Sequence, residues 1–382
     1  MNKSGIETRP TKMNLEELLK LMMEKDASDI YITAGLPPTF RVEGKTEPIS
    51  GEEVMSKEDT KELAFSLMSE KQKDTFLEEK EMNLALAPSI GRFRVNIFYQ
   101  MNCVGLVIRQ LKIPIQSFEQ LGLPSTLEDV AMTKRGLVLV VGATGSGKST
   151  TLAAMIDHRN SNSQGHIITI EDPVEFVHQH KRCIITHREV GIDTHSFGDG
   201  LKSALRQAPD VIMIGEVRDA TTMEAAITFA ETGHLCLATL HANNANQSIE
   251  RILTFFPADR QEQIFLLLSL NLRSIISQRL IPTIDDKRVA AVEILMDTPR
   301  VKDLIIKQEI GLLKEAMKKG EQEGMQTFDQ AIYNYYMQGK ISYETAIAYA
   351  DSANDLRLRI KFDTPDQEEE TENKPIFKIR EQ

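Results

Sequence analysis

The five apolar residues Leu137 to Val141 run straight into Gly142-Ala143-Thr144-Gly145-Ser146-Gly147-Lys148-Ser149, and no other stretch restricts the fold of this chain as much. The run is too short for a stable helix and rich in valine, so it predicts a strand buried on both faces, as in the middle of a parallel sheet. The segment behind it, Thr150 to Asp157, is helix-forming. Strand, glycine-rich loop and helix in that order match a P-loop at every fixed position and place the chain in the α/β class.

Each residue type in the loop answers a separate chemical need. Glycines at 142, 145 and 147 let the backbone aim successive N–H groups at phosphate oxygens, and the following helix adds the positive end of its dipole. Lys148 supplies a point charge for the outer phosphates, and Ser149 a hydroxyl for Mg²⁺. Ala143, Thr144, Ser146 and Thr150 complete the predicted nucleotide-binding segment for ATP.

Composition narrows the classes that can own such a loop. The chain has 382 residues, 41% hydrophobic and 26% charged, which predicts two or three soluble domains. No apolar run approaches the ~20 residues that span a bilayer, and the polar start lacks a signal-peptide core, so no direct membrane insertion and a cytoplasmic location are expected. The three cysteines lie far apart, which excludes a zinc ribbon. A net charge of −11 argues against a chain that mainly wraps nucleic acid, and none is expected as a partner.

Along the chain, apolar spacing predicts a helix over 14–25, short strands at 29–32 and 39–45, and a helix opening at Ser56. A strand pair follows at 91–100 and 103–111. Residues 14–111 thus form a small α+β domain after a flexible 1–13, and the two prolines and glycine of 112–125 mark a linker. From 126, strand-like runs alternate with helical ones, which implies a parallel sheet wrapped by helices. A helical part is expected from about 286 to 362, then a disordered acidic tail over 363–382.

Three of the later apolar runs end in polar residues, where ligands bind in open α/β sheets. "HIITIEDPVEF" delivers Glu171, Asp172 and Glu175, any of which can orient water or accept its proton, or merely lie on a solvated loop. "DVIMIGEVRD" reads as the strand next to the P-loop strand, with Glu216 positioned to meet Mg²⁺ or its water and Arg218-Asp219 as a surface ion pair. His234 and His241 bracket another core strand, either as structural histidines or as sensors of nucleotide state. In the first domain Arg92 and Arg94 share a strand face, with Arg109 in the next strand, giving either an exposed basic face or charge directed at a phosphate.

In order and spacing, Gly142 to Thr150, "TIEDPVEF", "APDVIMIGEVRD" and "TGHLCLATLH" resemble the Walker A, Asp box, Walker B and His box of the secretion ATPase superfamily. "RFRVNIFYQ" and "GMQTFDQAIYNYYMQGKISYETA" further resemble the PilT/PilU family of type IV pilus retraction ATPases, a likeness running from about Asn14 to Phe362. The resemblance implies a PAS-like N-terminal domain, a RecA-like ATPase domain with a helical C-terminal subdomain, and a homohexamer that couples ATP hydrolysis to pilus disassembly at an inner-membrane platform protein. It also implies roles. Lys148 and Ser149 hold phosphate and Mg²⁺, Glu175 is the general base, Glu216 the Walker B carboxylate, and His234 and His241 the His-box pair. Arg92, Arg94 and Arg109 would reach nucleotide from the same or a neighbouring chain.

Two departures favour the accessory, PilU-like branch, which acts with a PilT-type ATPase. Asn102-Cys103 stands where the principal motors carry an arginine, and Arg300-Val301-Lys302-Asp303-Leu304-Ile305 replaces their Ala-Ile-Arg segment. A nucleotide-binding adaptor with little turnover, a pilus assembly or type II secretion ATPase, and a nucleic-acid translocase are the competing readings.

Overall fold

The computed structural model describes residues 14–42, 44–86, 90–111, 115–285 and 287–363. These form two compact units, one running to Pro114 and also holding Glu175–Val177 and Glu189–His195, the other containing the rest.

The first unit is built on six strands, β1 (Asp29–Ile32), β2 (Thr39–Val42), β3 (Lys45–Pro48), β4 (Glu81–Leu86), β5 (Arg92–Gln100) and β6 (Cys103–Leu111). They lie in the order β3-β2-β1-β6-β5-β4, each pair antiparallel. Alternation along β5 puts Phe93, Val95 and Ile97 in the core and Arg92, Arg94 and Asn96 on the other face. Met101 and Asn102, both with positive φ, make the two-residue turn into β6 that matches the twist of the strands. Helices Leu15–Glu24, Lys57–Ser66 and Glu70–Glu79 each begin with a reciprocal capping box, at Asn14/Glu17, Ser56/Asp59 and Ser69/Gln72. Leu19, Met22 and Phe76 from two of these helices enter the same core as β5.

The second unit carries seven strands: β7 (Gly136–Val141), β8 (Gly165–Glu171), β9 (Cys183–Glu189), β10 (Val211–Ile214), β11 (Leu235–Leu240), β12 (Leu272–Pro282) and β13 (Arg288–Met296). Their order is β13-β12-β7-β11-β10-β8-β9. The five strands from β12 to β8 are parallel to their neighbours, and β13 returns antiparallel on β12. Every residue of β7, β10 and β11 is buried, as expected of central strands covered on both faces. The backbone of Gln326 pairs with Ile294 on β13, and its side-chain amide donates to the Val292 carbonyl at 2.8 Å.

Several expectations need correction. The strand leading to Glu216, β10, is not next to the P-loop strand: β11 lies between them, because chain order does not dictate lateral order in a sheet. The helical part begins at Pro299 rather than 286, since Arg288–Met296 alternates into a strand on β12. In the expected linker, 112–114 fall outside the described residues. The remainder forms a short helix, Phe118–Leu121, and buries Phe118 and Leu123 in the second unit's core. Beyond Tyr343–Tyr349 a further helix, Ala353–Asp363, places Leu356 and Ile360 against Phe328 and Ile332. The expected flexible start and almost all of the acidic tail, 1–13 and 364–382, lie outside the described residues. Among the described residues no helix is long and apolar enough to cross a membrane.

Candidate functional site: a phosphate loop facing a polar cleft

The P-loop leaves the carboxyl end of β7 and enters helix Lys148–Asn162 at Gly147, with no side chain capping the first turn. The leading N–H groups of that helix are therefore available to an anion. Gly147 has φ +92°, and a Cβ there would come within 2.7 Å of Gln278 Nε2. A Cβ on Gly142 would lie 2.4 Å from Ser146 Oγ and 2.5 Å from the Gln278 carbonyl. The loop is thus moulded on β12. Gln278, 3% exposed, accepts a hydrogen bond from Thr151 Oγ1 at 2.7 Å.

Lys148 folds back, its ammonium donating to the Gly142 and Ala143 carbonyls at 3.0 Å each. These contacts hold a nearly buried cation at the loop, positioned to exchange carbonyls for phosphate oxygens. Ser146 Oγ is buried without a hydrogen-bond partner. Residues 142–146 line one wall of a cleft of about 610 Å³, a volume suited to a nucleotide. Its other wall is formed by Asn243, Gln247, Arg279, Leu280, Arg288 and Tyr349, among others.

The residues suit Mg²⁺ of a particular kind. Among the described residues no cluster of three or more His, Cys, Asp or Glu could cage a metal. Mg²⁺ typically takes one or two protein oxygens and completes its shell with phosphate and water, so a site of this kind needs no such cluster.

Glu216 follows β10 by two residues and is fully engaged. Arg218 donates to its Oε2 through Nε and Nη2, both at 2.7 Å, and His241 Nε2 lies 3.1 Å from its Oε1. Arg218 also approaches Asp172 at 3.8 Å. The expected Arg218–Asp219 pair does not form, since Asp219 accepts from Thr222 N at 2.8 Å and caps helix Ala220–Glu231.

Glu171 ends β8, buried, with Oε1 3.8 Å from His187 Nδ1. His187 Nε2 accepts from the His178 backbone N–H at 3.1 Å, so the ring proton sits on Nδ1 and points to Thr169 Oγ1 at 2.9 Å. Glu175 is exposed, four residues past the end of β8, and belongs to the first unit.

His178 stacks on His187 with centroids 5.7 Å apart and is 5% exposed. Burial first, then the neighbouring His187, pushes its pKa down to about 4 from 6.5. The folded chain therefore prefers His178 neutral while the unfolded chain protonates it below about 6.5. Stability from this group is intact above that pH and falls as pH drops towards 4, by up to about 3 kcal/mol. Thermal unfolding from pH 7 to 4.5 should show a steeper decline for wild type than for His178→Gln; parallel curves would refute the assignment.

The two box histidines are separated by the sheet. His241 lies just beyond the carboxyl end of β11, beside Glu216. His234 precedes β11, where its carbonyl accepts from Gly136 N and its Nδ1 lies 3.1 Å from the Phe229 carbonyl. Since Leu235 registers with Gly136 and Leu240 with Val141, His234 is a strand length, about 20 Å, from the loop end of the sheet. In the first unit Arg94 is directly opposite Arg109, and Arg109 Nε donates to buried Asp29 at 2.8 Å. Arg94 Nη2 reaches Asn83 at 3.5 Å, and Arg92 is exposed on the same face.

Gln278, Arg279, Leu280, Arg288 and Tyr349 carry no motif and were not foreseen. The first three reach the loop because β12 registers Ser277 with Val141, a lateral pairing that no local pattern announces, while Arg288 comes from β13 and Tyr349 from the end of helix Tyr343–Tyr349.

Residues 6–346 match the type II/IV secretion system protein family. The Pseudomonas aeruginosa type IV pilus ATPase PilU is 58% identical over 351 residues, 91% of this chain and 92% of that protein. PilT of the same organism is 42% identical over 335 residues, 87% of this chain and 97% of that one. The crystal structure of the pilus retraction motor PilT with bound ADP superposes with a TM-score of 0.85 at 42% identity, covering 91% of this chain and all of that one. With a phosphate loop, an acidic strand end and a nucleotide-sized cleft in one unit, the chain belongs to the type II/IV secretion system protein family, among the PilU- and PilT-like type IV pilus ATPases.

Proposed function

We propose that this protein is a Mg²⁺-dependent ATPase of type IV pilus retraction, acting as a PilU-like accessory motor with a PilT-type ATPase at the inner-membrane pilus platform. The observation that carries the catalytic part is the Lys148 ammonium held on the Gly142 and Ala143 carbonyls of a preformed P-loop that also buries a partnerless Ser146 hydroxyl. The pilus assignment rests on the 58% identity with PilU.

In this reading the first unit is PAS-like and the second RecA-like, and six copies form a ring. Ser149 and, through water, Glu216 would hold Mg²⁺, which would supply positive charge at the outer phosphates. Glu175 accepts the proton of the attacking water, and Glu171 is a further catalytic carboxylate. His241 and Arg218 hold Glu216 in register, and Arg92, Arg94 and Arg109 supply charge from the same or a neighbouring chain. His234 acts at most through the β11 strand, given its position. A nucleotide-binding adaptor with little turnover of its own is the rival reading.

The deciding experiment measures pilus retraction in cells with a catalytically dead PilT, with and without this protein. Rescue by wild type but not by a turnover-deficient variant supports a force-delivering motor. Equal rescue by both would leave an adaptor.

A further inference from the structure

The loop that carries Glu175, residues 172–177, leaves β8 at Glu171 and turns back towards β9 through His178. Its two ends meet on one side chain. His187, on β9 beside β8, aims Nδ1 at Thr169 Oγ1, 2.9 Å away, with Glu171 Oε1 at 3.8 Å; both lie on the limb that enters the loop. Its Nε2 accepts from the His178 backbone N–H at 3.1 Å, on the limb that leaves the loop, and the His178 ring stacks on its face. The His187 side chain is 13% exposed, so water competes little for these hydrogen bonds.

The surroundings are braced by other residues. Gly215 comes so close to the end of β8 that a Cβ on it would lie 3.1 Å from Glu171 Cα, and its N–H donates to the Ile170 carbonyl at 2.8 Å. Further along the return limb, Asn160 from the P-loop helix is fully buried and donates to the Gln179 carbonyl at 2.7 Å. It also accepts from the N–H groups of Lys181 and Cys183, each at 3.2 Å. The end of β8 and the limb 179–183 are thus fixed without His187, and the imidazole adds the tie between them at the root of 172–177. Such a tie limits how far a short loop can wander, and a general base must stay within hydrogen-bond reach of the water it deprotonates.

We propose that His187 is a positioning residue for the 172–177 loop, joining its two ends so that Glu175 meets the attacking water. The inference rests on the reading of Glu175 as the general base and adds what keeps that carboxylate in place. An imidazole suits the task because one ring nitrogen donates while the other accepts. A glutamine side chain offers the same pair of functions, and alanine or leucine offers neither.

Steady-state ATP turnover of the full chain in Mg²⁺, with ADP affinity from calorimetry, tests it. His187→Ala and His187→Leu should lower kcat by about 10- to 100-fold, the scale of a misplaced catalytic group, while KM and ADP affinity stay within about twofold. His187→Gln should recover most of the lost kcat. With enzyme in excess, the residual turnover of Glu175→Gln should not fall further when His187→Ala is added, because a residue acting through Glu175 then has nothing left to position. Melting temperatures on the same samples, with every assay run well below them, separate lost position from lost fold. Wild-type kcat in both His187→Ala and His187→Leu, or no recovery in a folded His187→Gln, overturns the positioning role and leaves the base assignment standing. Unchanged turnover in Glu175→Gln alone overturns the base assignment and this inference with it.

Discussion

Lys148→Ala should reduce phosphate release by a factor of about 10³ or more, to background. The side chain is 9% exposed, and its ammonium already sits 3.0 Å from two loop carbonyls, so the lost charge is a desolvated and preorganised one. A single preorganised donor in such an environment contributes about 10² to 10³ in rate, and a full positive charge on a transferring phosphoryl group should exceed that. Nucleotide affinity should fall as well, because the charge meets phosphate in the ground state too. The effect should leave the fold intact. Malachite-green phosphate assays and a thermal melt on the same sample check both halves. Unchanged turnover would defeat the catalytic assignment.

Glu216→Gln is the second large effect, and it separates binding from chemistry. The amide keeps size but removes the negative charge that faces Arg218, and it turns one of the two accepting oxygens into a donor. If Glu216 serves Mg²⁺ or its water, kcat should drop about 10²-fold while ADP affinity changes little. A purely structural role for Glu216 would instead show as a lowered melting temperature with turnover retained. The protein would then trap ATP less, not more, than wild type in a filter-retention assay. The expected pattern is the opposite, with ATP bound and slowly hydrolysed.

The elements that position the site differ in how visibly they are written. β7, the loop and helix Lys148–Asn162 are legible because an apolar run, glycines that admit close backbone approach and a helix-forming segment each report locally. The alternation of β5 is equally plain, and the capped helix starts at Asn14 and Ser56 rest on residues three apart. What escapes is lateral order. β11 between β7 and β10, and β12 on the other flank of β7, are decided by how crossovers stack helices on a sheet, a property of the whole unit. The same reason hides Gln278, 136 residues beyond Gly142, while Tyr349 touches the cleft from a helix 207 residues beyond Gly142. His234 misleads in the opposite sense. It is near His241 in sequence, yet a strand traversed end to end separates them.

The clasp of Gln326 on β13 has a consequence for how copies of this protein can meet. With its backbone pairing Ile294 and its amide on the Val292 carbonyl, that margin of the large sheet is already occupied along part of its length. Open strand margins invite another chain to continue the sheet, a route to runaway association at high concentration. Here the margin beside Ile294 is stoppered from within the same polypeptide, so a neighbouring chain cannot continue the sheet at that point.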